Sequence, residues 1–236
     1  MRGRTVALAL LLVGCGRVSF DPTLSTDSAA STCLASYVFC DDFDRTSVLG
    51  PWDSQISNLG MLAIDPQGNE SPGALRVTLP PQPIGPGPTL TTSLGAPTTE
   101  TRLRFDLQID AFDPTREVDL LQLRWEPPPP CTAYGLYIVK TTEDVLALQE
   151  TYVDCGGVKY HTIGSLDVDW HRYEVVVNHV ESRVTVLRDG ASVASSRTTQ
   201  PFPAAPQDLY LGAPLVVSGI VATWLYRFDN VVIEHD

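Results

Sequence analysis

The sequence predicts a single all-β domain built as a sandwich of two antiparallel sheets, and three observations carry that prediction. Short runs of alternating apolar and polar residues recur between residues 33 and 236, separated by Pro- and Gly-rich turns. No stretch keeps a 3.6-residue apolar period over ten or more residues, as a helix would require. Finally, Trp170–Ser196 holds three consecutive runs, Tyr173–Val177, Val184–Leu187 and Ala191–Ala194. Val175 and Val177 share one face of the first run, opposed by Glu174, Val176 and Asn178. Asp189-Gly190 is a two-residue hairpin signal, because Gly accepts positive φ without a Cβ clash. This meander is expected to be the spine of one sheet.

The elements follow in order. Strands are expected at Met61–Asp65 and Ala74–Leu79. Pro80–Pro88, with five prolines and two glycines, must be a loop. Strands resume at Leu90–Leu94 and Thr99–Asp110, where Leu103, Phe105, Leu107 and Ile109 alternate with Arg104, Asp106 and Gln108. Val118–Trp125 is stopped by the prolines at 127–130. Gly135–Lys140 and Val145–Tyr152 flank Thr141–Asp144, a hairpin centred on Glu143 that pairs residue 137 with 149 and 138 with 148. After the central meander, Pro201–Pro206 marks a loop before Leu209–Leu211, and Trp224–Glu234 ends the chain. There is no internal repeat.

The chain has 236 residues, 43% of them apolar, enough for one sizeable core. Acidic residues outnumber basic ones 28 to 16, for a formal charge of −12. Only two lysines occur, Lys140 and Lys159, and there is no basic cluster. That disfavours nucleic acid and anionic bilayers as charge-driven partners.

Residues 1–14 read as an export leader. Met1-Arg-Gly-Arg is a basic start, and the apolar run Val6–Val13 is far short of the roughly 20 residues that span a bilayer. The end of the run, Leu12-Val13-Gly14-Cys15, resembles the bacterial lipobox. In that family the matching cysteine, here Cys15, becomes a lipid-modified N-terminus. Gly16 in place of an aspartate retention signal points to the outer membrane. Residues 15–32 are expected to form a lipidated, flexible tether rich in Ser, Thr, Asp and Ala, and residues 33–236 the folded domain. Removing the leader would also remove Arg2 and Arg4, taking the formal charge from −12 to −14.

The four other cysteines are an even number in an exported chain, which favours disulfides. Cys33 and Cys40 are close enough to close a small loop. The hairpin register sets Cys131 opposite Cys155. Neither pair has the two-to-four-residue spacing of metal ligation.

Several motifs together resemble the concanavalin A-like lectin/glucanase superfamily, in particular its laminin-G-like members. They are Asp41-Asp42-Phe43-Asp44 followed by Pro51-Trp52, then Trp170-His-Arg-Tyr-Glu-Val-Val-Val running to Arg188-Asp189-Gly190, and the terminal Phe228-Asp229-Asn230-Val-Val-Ile. The resemblance covers about residues 39–235. It implies a jelly-roll β-sandwich whose first and last strands are neighbours. That fold hosts lectins, hydrolases, lyases and adhesion modules alike.

Glu117-Val-Asp119-Leu-Leu-Gln122 is similar to the catalytic strand of laminarinase-type glycoside hydrolases. Glu117 matches the nucleophile and Asp119 the middle carboxylate, but Gln122 stands where the acid/base belongs and cannot transfer a proton. No catalytic residue is therefore assigned. No Gly-x-Ser-x-Gly elbow or phosphate loop occurs. His161, His171, His179 and His235 show no metal-ligand spacing. Asp41, Asp42 and Asp44, facing Asp229 if first and last strands pair, offer hard oxygen ligands that would suit Ca²⁺. Acids at strand edges also serve simply to keep a surface soluble. Alternation turns Leu121, Leu123, Trp125, Leu136, Ile138 and Leu148 inward. Gln122, Arg124, Tyr137 and Gln149 then share the opposite face, where an aromatic ring and planar polar groups would suit a sugar.

The expected function is thus a lipid-anchored, non-catalytic binding or adhesion module of the cell envelope, with a glycan or another cell-surface molecule as partner. The alternatives are a polysaccharide hydrolase or lyase with unrecognised catalytic residues, and a purely structural envelope lipoprotein.

Overall fold

Alternation decides the sheets. In the computed structural model, residues 33–236 are described apart from 71, 98, 127–132, 154–156, 199, 203 and 204. One sheet has the order β13 (Ala191–Arg197), β12 (Arg183–Arg188), β11 (His171–Asn178), β6 (Glu100–Ala111), β15 (Trp224–His235), β4 (Ala74–Leu79) and β3 (Met61–Asp65). In addition, β1 (Phe39–Asp41) pairs with β15. The other has the order β10 (Val158–Ser165), β9 (Val145–Val153), β8 (Ala133–Lys140), β7 (Val118–Trp125), β14 (Gln207–Gly212), β5 (Pro88–Leu94) and β2 (Ser54–Ser57). All pairings are antiparallel. The chain is an all-β, two-sheet sandwich, as its pattern predicts, and a jelly roll, as the resemblance implies.

The predicted meander is present: β11 pairs Val175 with Val186 and β12 pairs Val186 with Ala194. Asp189 and Gly190 form the hairpin turn with φ of 52° and 78°. The β8–β9 hairpin has the predicted register, Tyr137 opposite Gln149 and Ile138 opposite Leu148. First and last strands are neighbours, with Asp41 opposite Val231. Three strands were not expected, β1, β2 and β10. The last two are sheet edges, where no apolar stripe is needed to secure a strand.

The core lies between the sheets. From the eight-stranded side come Leu103, Phe105, Val175, Tyr226 and Phe228; from the other come Leu121, Leu123, Leu136, Ile138, Leu209 and Leu211, each 2% exposed or less. Burying each large apolar side chain is worth about 1.5–3 kcal/mol. Lys140 is buried at one end of the sandwich. Its ammonium donates to the carbonyls of Asp113, Pro114 and Arg116 and faces the Phe112 and Trp224 rings.

Cys33 and Cys40 form a disulfide. Cys131, Cys155 and Cys15 lie outside the described residues.

Candidate functional site

Inward packing of Leu121, Leu123 and Trp125 leaves Gln122 and Arg124 on the outer face of the seven-stranded sheet. Leu136 and Ile138 likewise leave Gly135 and Tyr137 there, and Leu209 and Leu211 leave Asp208 and Tyr210. Register then aligns these side chains across the strands. One row reads Tyr210, Gln122, Tyr137, Gln149, Tyr160, and the next Asp208, Arg124, Gly135, Thr151, Val158. The four residues that alternation nominates, Gln122, Arg124, Tyr137 and Gln149, are therefore gathered on one face. Tyr210 and Tyr160 escape a reading of the sequence. Alternation alone would turn Tyr210 outward, but its place beside Gln122 depends on a pairing with residues far upstream.

Gln122 Nε2 donates to the Tyr137 hydroxyl at 3.0 Å, and Gln149 Nε2 to Thr151 Oγ1 at 2.8 Å. Burial pushes the Tyr137 phenol up to about 12; Asp119 adds to that and the Arg124 charge opposes it. Arg124 is half-buried, and its Nε finds no hydrogen-bond partner. Among the described residues every arginine has a carboxylate within ion-pair distance except Arg124 and Arg197. Arg197 lies exposed on the edge strand β13. A half-buried guanidinium without a carboxylate is placed to pair with an anionic group from outside.

A third row, Asp119, Val139, Ala147 and Thr162, shows why Asp119 and Gln122, three positions apart, share a face. Asp119 pairs with Val139 but Leu121 pairs with Ile138, so Leu120 is the extra residue of a β-bulge. Asp119 is 2% exposed and its Oδ1 has no partner. Burial, and then the charge of Glu117, raises its carboxyl to about 7. A strut roofs this row: the Tyr160 hydroxyl donates to Glu117 Oε1 at 3.2 Å. It reaches over β8 and β9, since strands lie about 4.8 Å apart. Val139 and Ala147, which point outward, are buried under it at 0% and 1% exposure. The strut thereby walls one side of the Tyr210–Tyr160 row.

The acidic residues nominated for calcium are separated in the structure. Asp41 accepts from the Trp52 indole at 2.6 Å and from the Phe43 amide, and it pairs with Arg45. Asp42 and Asp44 accept from backbone amides, those of Asp44 and Gly73. Asp229 stands instead opposite Asp106 on β6. Its oxygens take the amides of Asn69 and Asn230, while Arg172, Asn69 and Asn230 satisfy Asp106. Among the described residues no three His, Cys, Asp or Glu side chains gather as a metal would need. His171 is bracketed by Asp189 and Asp167 at 2.7 and 2.8 Å. Burial lowers His179 to about 4.

No protein-family model matches the chain, and no curated protein sequence does. Solved structures do. An endo-β-1,4-glucuronan lyase from the fungus Trichoderma reesei matches with a TM-score of 0.62 at 14% identity, covering 85% of this chain and 96% of the lyase. A carbohydrate esterase of the bacteriophage phi24B matches at 0.58 and 13%, over 85% and 98%. A PL7 alginate lyase from Zobellia galactanivorans matches at 0.52 and 12%, over 77% and 83%. These likenesses correct the expectation of a non-catalytic binding module. Among the structures that share this sandwich over most of their length are the glucuronan lyase and the alginate lyase. The structure is thus a jelly-roll β-sandwich of the architecture seen in polysaccharide lyases.

Proposed function

We propose that the chain is a polysaccharide lyase acting on a polymer that contains uronic acids. One observation carries the reading: the Arg124 guanidinium, without a carboxylate of its own, lies beside Gln122 in a face flanked by Tyr210 and Tyr137. A sugar carboxylate is the group that would complete it. Elimination from a uronate removes the proton on the carbon bearing the carboxylate, forms a C4–C5 double bond and breaks the C4–O bond, whose oxygen gains a proton. Arg124 and Gln122 hold the carboxylate and stabilise the charge that develops on it as the proton leaves. A tyrosine beside Gln122 serves as proton acceptor and donor. The structural likenesses to glucuronan and alginate lyases agree with this chemistry. Hydrolysis is less well supported. It asks for two carboxyls flanking the bond, whereas Glu117 is engaged by Tyr160, Asp119 is buried and position 122 is an amide. The lipobox-like Leu12–Cys15 supports export, lipid attachment at Cys15 and an outer-membrane location, with residues 16–32 as tether.

The test is incubation with polyglucuronate, alginate and polygalacturonate while following the ultraviolet absorbance of the conjugated double bond. Activity on at least one polymer, lowered about 10²–10³-fold in Arg124→Ala as for loss of a key charge-stabilising donor, supports the proposal. New reducing ends without that absorbance would show hydrolysis and overturn it. So would failure to cleave any polyuronate.

A further inference from the structure

We infer that Gly135 and Tyr137 are positioning residues that hold the Gln122 amide in place, leaving Tyr210 as the proton-transferring group; the assignment rests on the lyase reading. The argument starts from space. A Cβ built on Gly135 would lie 2.5 Å from Tyr137 Cε2 and 2.9 Å from both Cζ and the hydroxyl oxygen. No real side chain tolerates such contacts. Gly135 is not among the residues with positive φ, so its backbone has no need of glycine. The missing side chain is what the site uses.

Tyr137, two residues on and on the same face, folds back along β8 and lays the edge of its ring on Gly135. In that pose its oxygen accepts from Gln122 Nε2 at 3.0 Å. One amide N–H is thereby committed, which fixes the plane of the amide and leaves its second N–H and its carbonyl oxygen for a ligand. A Cβ at 135 would force the ring upright and break that bond. Tyr210 flanks Gln122 from β14 in the same row. Among the described residues it makes no side-chain hydrogen bond, so its hydroxyl is free to exchange a proton with a bound sugar. Two tyrosines beside one glutamine thus take different tasks, decided by a glycine under only one of them.

The experiment has a kinetic arm and an arm independent of activity. On the polyuronate cleaved fastest, Tyr137→Phe should lower kcat/KM about two- to tenfold, the loss of one neutral hydrogen bond, with an unchanged pH profile. Tyr210→Phe should lower kcat about 10²–10⁴-fold, as for a general acid or base. The reverse pattern would overturn the assignment. Gly135→Ala should copy Tyr137→Phe in the native background and be silent in a Tyr137→Ala background, where no ring is left to displace. An equal loss in both backgrounds would mean a structural defect and refute the positioning role. In the second arm, the side-chain amide NMR signals of Gln122 are identified by their disappearance in Gln122→Ala. They should shift in both Gly135→Ala and Tyr137→Phe. Unmoved signals would sink the positioning role whatever the activity. Shifted signals in a protein that cleaves no polyuronate would uphold the positioning and reject the lyase reading.

Discussion

Asp119→Asn should stabilise the protein, and by an amount that depends on pH. The carboxyl is 2% exposed on the outer face of the seven-stranded sheet, roofed by the Tyr160–Glu117 strut. Its pKa rises from an ordinary 3.8 to about 7, first through burial and second through the charge of Glu117. Below pH 3.8 the carboxyl is protonated in both folded and unfolded chains and contributes no pH dependence. As pH rises further, the unfolded chain ionises while the folded one holds its proton, so stability falls. The loss is complete above pH 7. A pKa displaced by about three, at about 1.36 kcal/mol each, sets it near 4 kcal/mol. That is a large share of the 5–15 kcal/mol typical of a folded domain.

Asparagine keeps the shape and cannot ionise. Urea unfolding from pH 4 to 8.5 should show the two proteins nearly equal at pH 4 and the variant ahead by up to about 4 kcal/mol at pH 8. Glu117→Gln should recover a smaller part of the difference, because burial is the larger cause. A gap between Asp119→Asn and wild type that does not change with pH, or that favours wild type at pH 8, would refute the argument. A carboxyl kept at such a cost beside a candidate site is the kind of perturbed group that functional sites collect.

Leu209→Ala should destabilise by about 2–5 kcal/mol in denaturant unfolding, since Leu209 is fully buried in the central strand β14. Peptide mapping without reductant should recover Cys33–Cys40, and removing that bridge should cost about 2.5 kcal/mol for so short a loop. The same map should contain Cys131–Cys155; free thiols there would contradict the register read from the sequence. Cys15→Ala should abolish incorporation of labelled lipid, and continued labelling would dismiss Cys15 as the anchor. Because the chain carries a formal charge of −12, KM for a polyuronate should fall as salt is added up to physiological strength, where repulsion is screened. A KM that climbs with salt would mean that attraction to Arg124 outweighs the long-range field.

The sequence by itself determined the local geometry. The alternation in 103–109 and 173–177, the Asp189-Gly190 turn and the Glu143-centred hairpin depend only on neighbours in the chain, and among the described residues both hairpin registers are present. The same alternation put Gln122, Arg124, Tyr137 and Gln149 on one face, because inward leucines leave no other choice. The tertiary structure decided what required distant pairing. Tyr210 reaches Gln122 only because β14 inserts between β5 and β7, a contact between residues 88 positions apart. The edge strands β2 and β10 owe their form to the strand beside them, since Ser54–Ser57 buries nothing and has no pattern to read. The bulge at Leu120 brings Asp119 onto the face of Gln122, and the lone charge of Arg124 is visible only once other arginines have found their carboxylates. Periodicity reports which side of a strand faces the core. Which strands become neighbours is set by how the two sheets close around that core, and no single segment carries that information.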